Sequence, residues 1–175
     1  SVALLTAVRL ACKRRLLQAT PAFVDKVLPC WNTLCVRHGF MLVGQPWSGK
    51  SAALDVLRGP LETLHDKLPH DERWTAAPTP RLNPKPVTIG ELYGRFDAVT
   101  HEWSDGVLAA SFRTCARRAT GLDVVAAEDA SARQWIVLDG PVDAQWVENM
   151  NTVLDDNKKL CLMSGEVVQM ADGMC

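Results

Sequence analysis

Phe40-Met41-Leu42-Val43-Gly44-Gln45-Pro46-Trp47-Ser48-Gly49-Lys50-Ser51 is the stretch on which the reading of this chain turns. Its apolar residues run without a break from Phe40 and stop at a glycine, the pattern of a parallel strand buried on both faces. Gly44 to Ser51 then match G-x-x-x-x-G-K-[ST] in full. Each fixed position has a physical reason. Gly44 lets the chain leave the strand and wrap round, and Gly49 lets backbone approach phosphate closely. Backbone N–H groups and a helix N-terminus would face the phosphates, with the helix dipole favouring negative charge there. Lys50 would reach the β- and γ-phosphates, and Ser51 would ligate Mg²⁺. The predicted nucleotide-binding set is therefore Gly44, Gln45, Pro46, Trp47, Ser48, Gly49, Lys50 and Ser51. A surface Gly/Ser turn is the bland alternative. The apolar run before the motif, and Ala52, Ala53, Leu54, Val56 and Leu57 after it, argue against that. Those residues predict a helix ending near Gly59-Pro60.

A second stretch supplies the other half of such a site. Gln134-Trp135-Ile136-Val137-Leu138-Asp139 is again apolar and again reads as a buried strand, now ending in an acid. A carboxylate at that strand end can hold the Mg²⁺ shell, so Asp139 joins the binding set, and Ser51 and Asp139 are the expected metal ligands. The alternative is a capping or turn aspartate before Gly140-Pro141. Ring ATPases that hydrolyse usually carry Glu directly after this Asp, to polarise the attacking water. Here that place is Gly140, which has no side chain to act as a base. Asp143 and Glu148 are nearby acids, more simply read as helix-terminal and surface residues. No catalytic residue is assigned. The residues describe a binder of a nucleoside triphosphate with Mg²⁺ and slow turnover at most.

Outward from these two stretches the chain alternates helical and strand patterns. Leu4, Leu5, Val8, Ala11, Cys12 and Leu16 recur at helical spacing. Thr20-Pro21 reads as an N-cap followed by proline at the first helical position, starting a helix to His38 that Pro29 could interrupt. Its buried side would be Phe23, Val27, Leu34 and Cys35. Residues 65–80 read as loop and Arg81-Leu82-Asn83-Pro84 as the end of a short strand. Thr88 with Glu91 forms a capping box for a helix through Tyr93 and Phe96, and a further helix is predicted from Ser104 to Arg118. Residues 121–133 are acidic and aperiodic, a loop by pattern. A helix or turn follows from Ala144 to Leu154. Leu160-Cys161-Leu162 and Val167-Val168-Gln169 flank Ser164-Gly165, which suits a small β-hairpin near the C-terminus.

Composition excludes several function classes. The 175 residues carry 19 Lys and Arg against 20 Asp and Glu, so bulk charge gives no reason to expect a nucleic-acid partner. Lys13-Arg14-Arg15 reads as a solvated helix face. Arg9 and that basic run interrupt the apolar N-terminal segment, so neither a signal peptide nor a membrane span fits. The six cysteines form no C-x-x-C pair, and no His/Cys cluster has zinc spacing. Among apolar neighbours they read as reduced core thiols. A first residue other than Met, and an end on Met174-Cys175, suit a piece of a longer protein.

Longer motifs carry a resemblance. In order they are the segments His38–Gly44, Asn83-Pro84-Lys85, Thr88–Gly94, Thr100–Gly106 and Leu138–Ala144. Trp146-Val147-Glu148-Asn149-Met150-Asn151-Thr152-Val153-Leu154-Asp155-Asp156-Asn157-Lys158-Lys159-Leu160 completes the set. The chain resembles the dynein heavy chain, specifically the second AAA+ module of its motor ring, and its wording is similar to axonemal forms. The resemblance implies a P-loop α/β fold, the AAA+ large subdomain, with a parallel five-stranded sheet flanked by helices. Residues 1–38 would be a helical segment leading into a core of residues 39–175 that stops before the first sensor motif and the small lid subdomain. It implies an ATP-binding, largely non-hydrolysing module with a structural or regulatory role in the ring. Implied partners are the neighbouring AAA+ modules and, through the whole motor, the microtubule and the intermediate and light chains, with no nucleic acid and no membrane. The implied location is cytoplasm and cytoskeleton, in the axoneme of a cilium or flagellum.

One departure matters. Gln45-Pro46-Trp47 stands where the family usually has Pro-Thr-Gly or similar, leaving three roles open for Trp47: stacking on the ligand, narrowing the site, or packing outward. Trp103, Trp135 and Trp146 read as core or interface anchors. His101-Glu102 lacks a nucleophile and reads as structural. Two rival functions remain beside the nucleotide-binding motor module. One is a hydrolytically competent NTPase using Asp143 or Glu148; the other is a degenerate scaffold with no bound nucleotide.

Overall fold

A computed structural model describes residues 2–67, 80–120 and 134–175, with side chains left undescribed from 60 to 67. The chain divides into two compact units, Ser1–Ala77 and Pro78–Cys175, and each is taken by itself.

The described elements of the first unit are all helices: α1 (Val2–Arg14), α2 (Pro21–Val36) and α3 (Lys50–Lys67). Helical spacing of apolar residues explains each. Leu4, Val8, Ala11 and Cys12 form the buried stripe of α1, and Ala53, Val56 and Leu57 that of α3. Thr20 caps α2 as expected, its hydroxyl accepting the Phe23 N–H at 3.3 Å, with Pro21 in the first turn. Pro29 does not interrupt α2, and the buried face is Val24, Val27, Cys30, Trp31 and Leu34. Cys35 is exposed and Phe23 only partly buried, because the stripe lies one position round from the predicted one. Nor does α3 stop at Gly59-Pro60; it continues to Lys67. Proline removes one backbone donor, and here the remaining ladder carries the helix past it.

The predicted strand at Phe40–Val43 is the main difference. This segment forms no β-ladder among the described residues, and Met41 and Val43 are 52% and 86% exposed. A strand buries both faces only between neighbouring strands, and the described elements of its own unit are helices.

The second unit holds the sheet pairings. β1 (Arg81–Leu82) pairs in parallel with β4 (Val137–Leu138), Arg81 opposite Val137 and Leu82 opposite Leu138. On the other side of the same segment Gln134 bridges Met174 in parallel. Backbone N–H groups alternate in direction: Val137 and Asp139 donate to Pro80 and Leu82, whereas Gln134 and Ile136 donate to Gly173 and Cys175. The segment is thus paired on both edges, as a central strand should be. Regular parallel pairing among the described residues is this two-stranded ladder, and the five-stranded sheet expected from the resemblance is not seen.

The capping box is present in full: Thr88 accepts the Glu91 N–H at 3.2 Å while Glu91 accepts the Thr88 N–H at 2.9 Å. The Thr88 N–H, and then the Thr88 hydroxyl at 3.0 Å, donate to the Glu91 carboxylate and hold it below the usual range. The helix it starts, α4 (Ile89–Tyr93), is shorter than predicted. Gly94–Phe96 forms β2, antiparallel to β3 (Trp103–Asp105), and α5 begins after it (Val107–Ala119). Asp97 turns the hairpin by accepting the Val99 and Thr100 N–H groups at 2.8 Å each. The helical reading of Ser104 and Phe96 fails because a turn-forming aspartate pairs these residues across a hairpin. From Ala144 to Leu154 the chain is helical in three short pieces, α6 (Ala144–Val147), a 3-10 turn (Glu148–Met150) and α7 (Asn151–Leu154). The C-terminal hairpin forms as predicted, from β5 (Lys159–Cys161) and β6 (Val167–Gln169).

Leu92, Tyr93, Leu108, Phe112, Cys115, Val153, Leu160 and Leu162 belong to one core that gathers α4, α5, α7 and the last hairpin. Arg113 of α5 clamps its rim, bonding Asp105 on β3 and, at 2.7 Å, Glu166 in the last hairpin. Cys12, Cys30 and Cys115 are buried, and burial pushes each thiol up. Cys35 and Cys161 are exposed, so the reading of the cysteines as core residues holds only in part. The predicted loops at 65–80 and 121–133 fall mostly outside the described residues.

Candidate nucleotide site

The loop from Gly44 to Ser51 lies in the first unit and runs into the N-terminus of α3, a helix of 18 residues. Its curl comes from two left-handed positions, Trp47 at φ 64° and Gly49 at φ 84°. Two such positions bend the chain sharply just ahead of the helix, whose first-turn N–H groups favour an anion. Gly49 takes this φ without steric cost, whereas Trp47 takes it at some expense. The Ser48 N–H closes the turn on the Gln45 carbonyl at 3.2 Å, and the Ala53 N–H reaches the Gly49 carbonyl at 2.8 Å to start the helix.

Lys50 folds back over this loop. Its ammonium donates to the carbonyl oxygens of Gly44 at 2.6 Å and Gln45 at 2.9 Å. The cation is therefore held above the loop by neutral oxygens rather than by a carboxylate, which leaves its charge uncompensated by those contacts. An anion placed beside it at the head of α3 would meet a positive group already in position. Ser51 is exposed on the first turn of α3, and Gln45 and Pro46 are exposed on the loop. Trp47 stands fully in solvent, so its indole does not close the loop.

Asp139 lies in the second unit, directly after β4. Its N–H is bonded to the Leu82 carbonyl at 2.8 Å, which fixes the strand end, and its side chain is 46% exposed. Arg81 on β1 approaches the carboxylate at 3.9 Å. Sequence reasoning misses that partner, although an arginine opening the neighbouring parallel strand is placed for it by register. Gly140 follows, packed against Asn83 and Pro84. Asp143 is engaged as the N-cap of α6, its carboxylate accepting the Gln145 N–H at 3.0 Å. The eight loop residues thus come together in one unit, and Asp139 is set out on a separate strand end in the other.

The tryptophans separate. Trp135 is buried, while the Trp103 indole N–H bonds Asp105 at 2.8 Å and that of Trp146 bonds the Pro141 carbonyl at 3.2 Å. Trp103 also meets Phe96 edge to face at 5.1 Å. His101 occupies a left-handed position in the β2–β3 hairpin, φ 56°, and serves the turn. No group of potential metal-ligating His, Cys, Asp and Glu side chains is found among the described residues, and no described helix is long and apolar enough to cross a membrane.

No family model matches the chain. Individual proteins do. Dynein axonemal heavy chain 3 of Mus musculus is 50% identical over 158 residues, 90% of this chain. Dynein axonemal heavy chain 12 of Rattus norvegicus is 43% identical over 164 residues, or 94%. Dynein axonemal heavy chain 1 of Homo sapiens is 42% identical over 169 residues, or 96%. The chain spans only 4% to 5% of the length of these relatives. Over nine-tenths of its length, the sequence is homologous to one segment of the axonemal dynein heavy chains.

Proposed function

We propose that this chain is an ATP-binding, largely non-hydrolysing AAA+ module of an axonemal dynein heavy chain, the second module of its motor ring. The observation that carries the reading is the bent loop at the head of α3, where the Lys50 ammonium is held on the Gly44 and Gln45 carbonyls beside the helix N-terminus. The β- and γ-phosphates would lie against that loop and Lys50, with Mg²⁺ ligated by Ser51 and Asp139. ATP, or ADP after slow loss of phosphate, would be the resident nucleotide. Residues 1–38 would lead into the P-loop core of residues 39–175.

Two features favour binding over turnover. Gly140 supplies no base beside Asp139, and Asp143 already spends its carboxylate on capping α6. The exposed position of Trp47 speaks against a loop closed by its own indole. In this reading the neighbouring modules of the same heavy chain are the direct partners. The microtubule and the intermediate and light chains are partners of the whole motor, located in the axonemal cytoskeleton of a cilium or flagellum.

The test is a Mg²⁺-dependent ATP titration with phosphate release followed in parallel, on the chain extended through the following module. Saturable binding with release near background is expected. Lys50→Ala should weaken binding by roughly 10- to 100-fold, the worth of charge-assisted bonds to phosphate. Sustained release would point instead to a competent NTPase, and absent binding to a scaffold.

A further inference from the structure

Gly140 is a glycine for want of space. Its φ lies outside the left-handed region, so backbone conformation alone would admit any residue. A methyl group at this position would meet Asn83 Oδ1 at 2.7 Å, Pro84 Cδ at 2.9 Å and Pro84 Cγ at 3.4 Å. The two neighbours differ in how they can yield. Asn83 ends in a carboxamide that can turn aside, although its oxygen accepts the Lys85 N–H at 3.0 Å. Pro84 Cδ is bonded to the main-chain nitrogen and closed in a ring, so it retreats only if the backbone does. Pro84 is itself buried. The backbone is pinned just before it, since Leu82 is in register with Leu138 and its carbonyl holds the Asp139 N–H at 2.8 Å. Strand end and turn are therefore fastened together, with the Cβ position of residue 140 between them.

We propose that the Asn83-Pro84 turn closes position 140 to any side chain, and that Pro84 is the residue that enforces this closure. A carboxylate placed directly after Asp139 to activate water is then excluded by packing, so the non-hydrolysing character is built into the neighbouring strand's exit turn. The functional consequence rests on reading Asp139 as a metal-holding residue. The closure itself stands without nucleotide. It predicts that losing the glycine is costly only while Pro84 is present.

The experiment is a thermal unfolding cycle on the chain without nucleotide: unaltered, Gly140→Ala, Pro84→Ala, and both together. Gly140→Ala alone is expected to lower the midpoint by roughly 5 °C or more, as overpacking against fixed backbone does. In the Pro84→Ala background the same change should lower it by less than about 2 °C. Equal losses in the two backgrounds would overturn the closure. If Gly140→Ala alone gives no cooperative transition, its return in the double variant is the expected rescue, and its failure to return while Pro84→Ala folds overturns the proposal. The ATP titration reports separately: loss of the nucleotide reading would leave the outcome of the unfolding cycle untouched.

Discussion

Phe40–Val43 and Trp135–Leu138 are both uninterrupted apolar runs leading towards a glycine, and the chain treats them in opposite ways. The second has backbone partners on both edges, with Pro80 and Leu82 on one side and Gly173 and Cys175 on the other. Its Trp135 is buried at 6% exposure. The first has no ladder among the described residues, and Val43 at its end is 86% exposed. Apolar composition is nearly the same in the two runs. What differs is the supply of adjacent strands, without which extended backbone stays hydrated and its side chains find nothing to pack against. Burial of a parallel strand is a property of its neighbours.

The strongest way to break this comparison is to truncate a matching side chain in the paired run. Trp135→Ala should cost about 3–5 kcal/mol, the range for removing a large buried aromatic. Chemical denaturation would read the loss as a lower midpoint at unchanged slope. A cost below about 1 kcal/mol would mean that the paired run is no better packed than the exposed one.

Ionic contacts sharpen the same contrast at a smaller scale. In the second unit Arg113 joins Asp105 and Glu166, residues far apart in sequence, and its own side chain is 25% exposed. In the first unit Arg15 approaches Asp55 at 3.7 Å with 46% of the arginine side chain in solvent. Arg113→Met should therefore cost about 1–2 kcal/mol, and Arg15→Met about 0–1 kcal/mol. Acid adds a second readout. The Arg113 guanidinium, and then the Trp103 indole N–H, hold the Asp105 carboxyl below its ordinary value of 3.8. A carboxyl with a depressed folded pKa contributes stability that is complete above the ordinary value and is lost as pH falls through the folded one. Unfolding free energy should decline on acidification through that window, and less steeply in Arg113→Met. An unchanged slope would remove Asp105 from the account.

These contrasts mark what the amino-acid sequence can and cannot reveal. Local chemistry is legible. The loop motif at Gly44–Ser51, the Thr20 cap, the Thr88–Glu91 capping box and the Ser164-Gly165 hairpin all depend on residues a few positions apart, and each has a one-dimensional signature. Regions needing a distant partner are not. Nothing near Arg113 points to Glu166, and nothing near Gly140 shows that Pro84 lies against it. The β2–β3 hairpin reads as helix at both ends, although Asp97 and Thr100 are turn residues between Phe96 and Trp103 and carry a signal for it. Within the candidate site the Gly44–Ser51 motif is readable in full as a pattern. The grip of Lys50 on the Gly44 and Gln45 carbonyls, and the approach of Arg81 to Asp139, are not, since both are matters of side-chain reach.

The smallest effect is the most discriminating for the unpaired run. Val43→Ser exchanges an apolar residue for a smaller polar one at a site already 86% exposed. In the unit as it stands the change removes almost no buried area, so stability should move by no more than about 0.5 kcal/mol in either direction. A loss of roughly 2 kcal/mol would instead mean that Val43 is buried in solution and that the run has found strand neighbours. Repeating the pair of measurements in a longer chain, extended along the sequence of the longer relatives, separates the two causes. A cost that appears only there would show that the neighbours come from beyond this segment, whereas a cost near zero in both would make Phe40–Val43 an exposed lead into the Gly44–Ser51 loop.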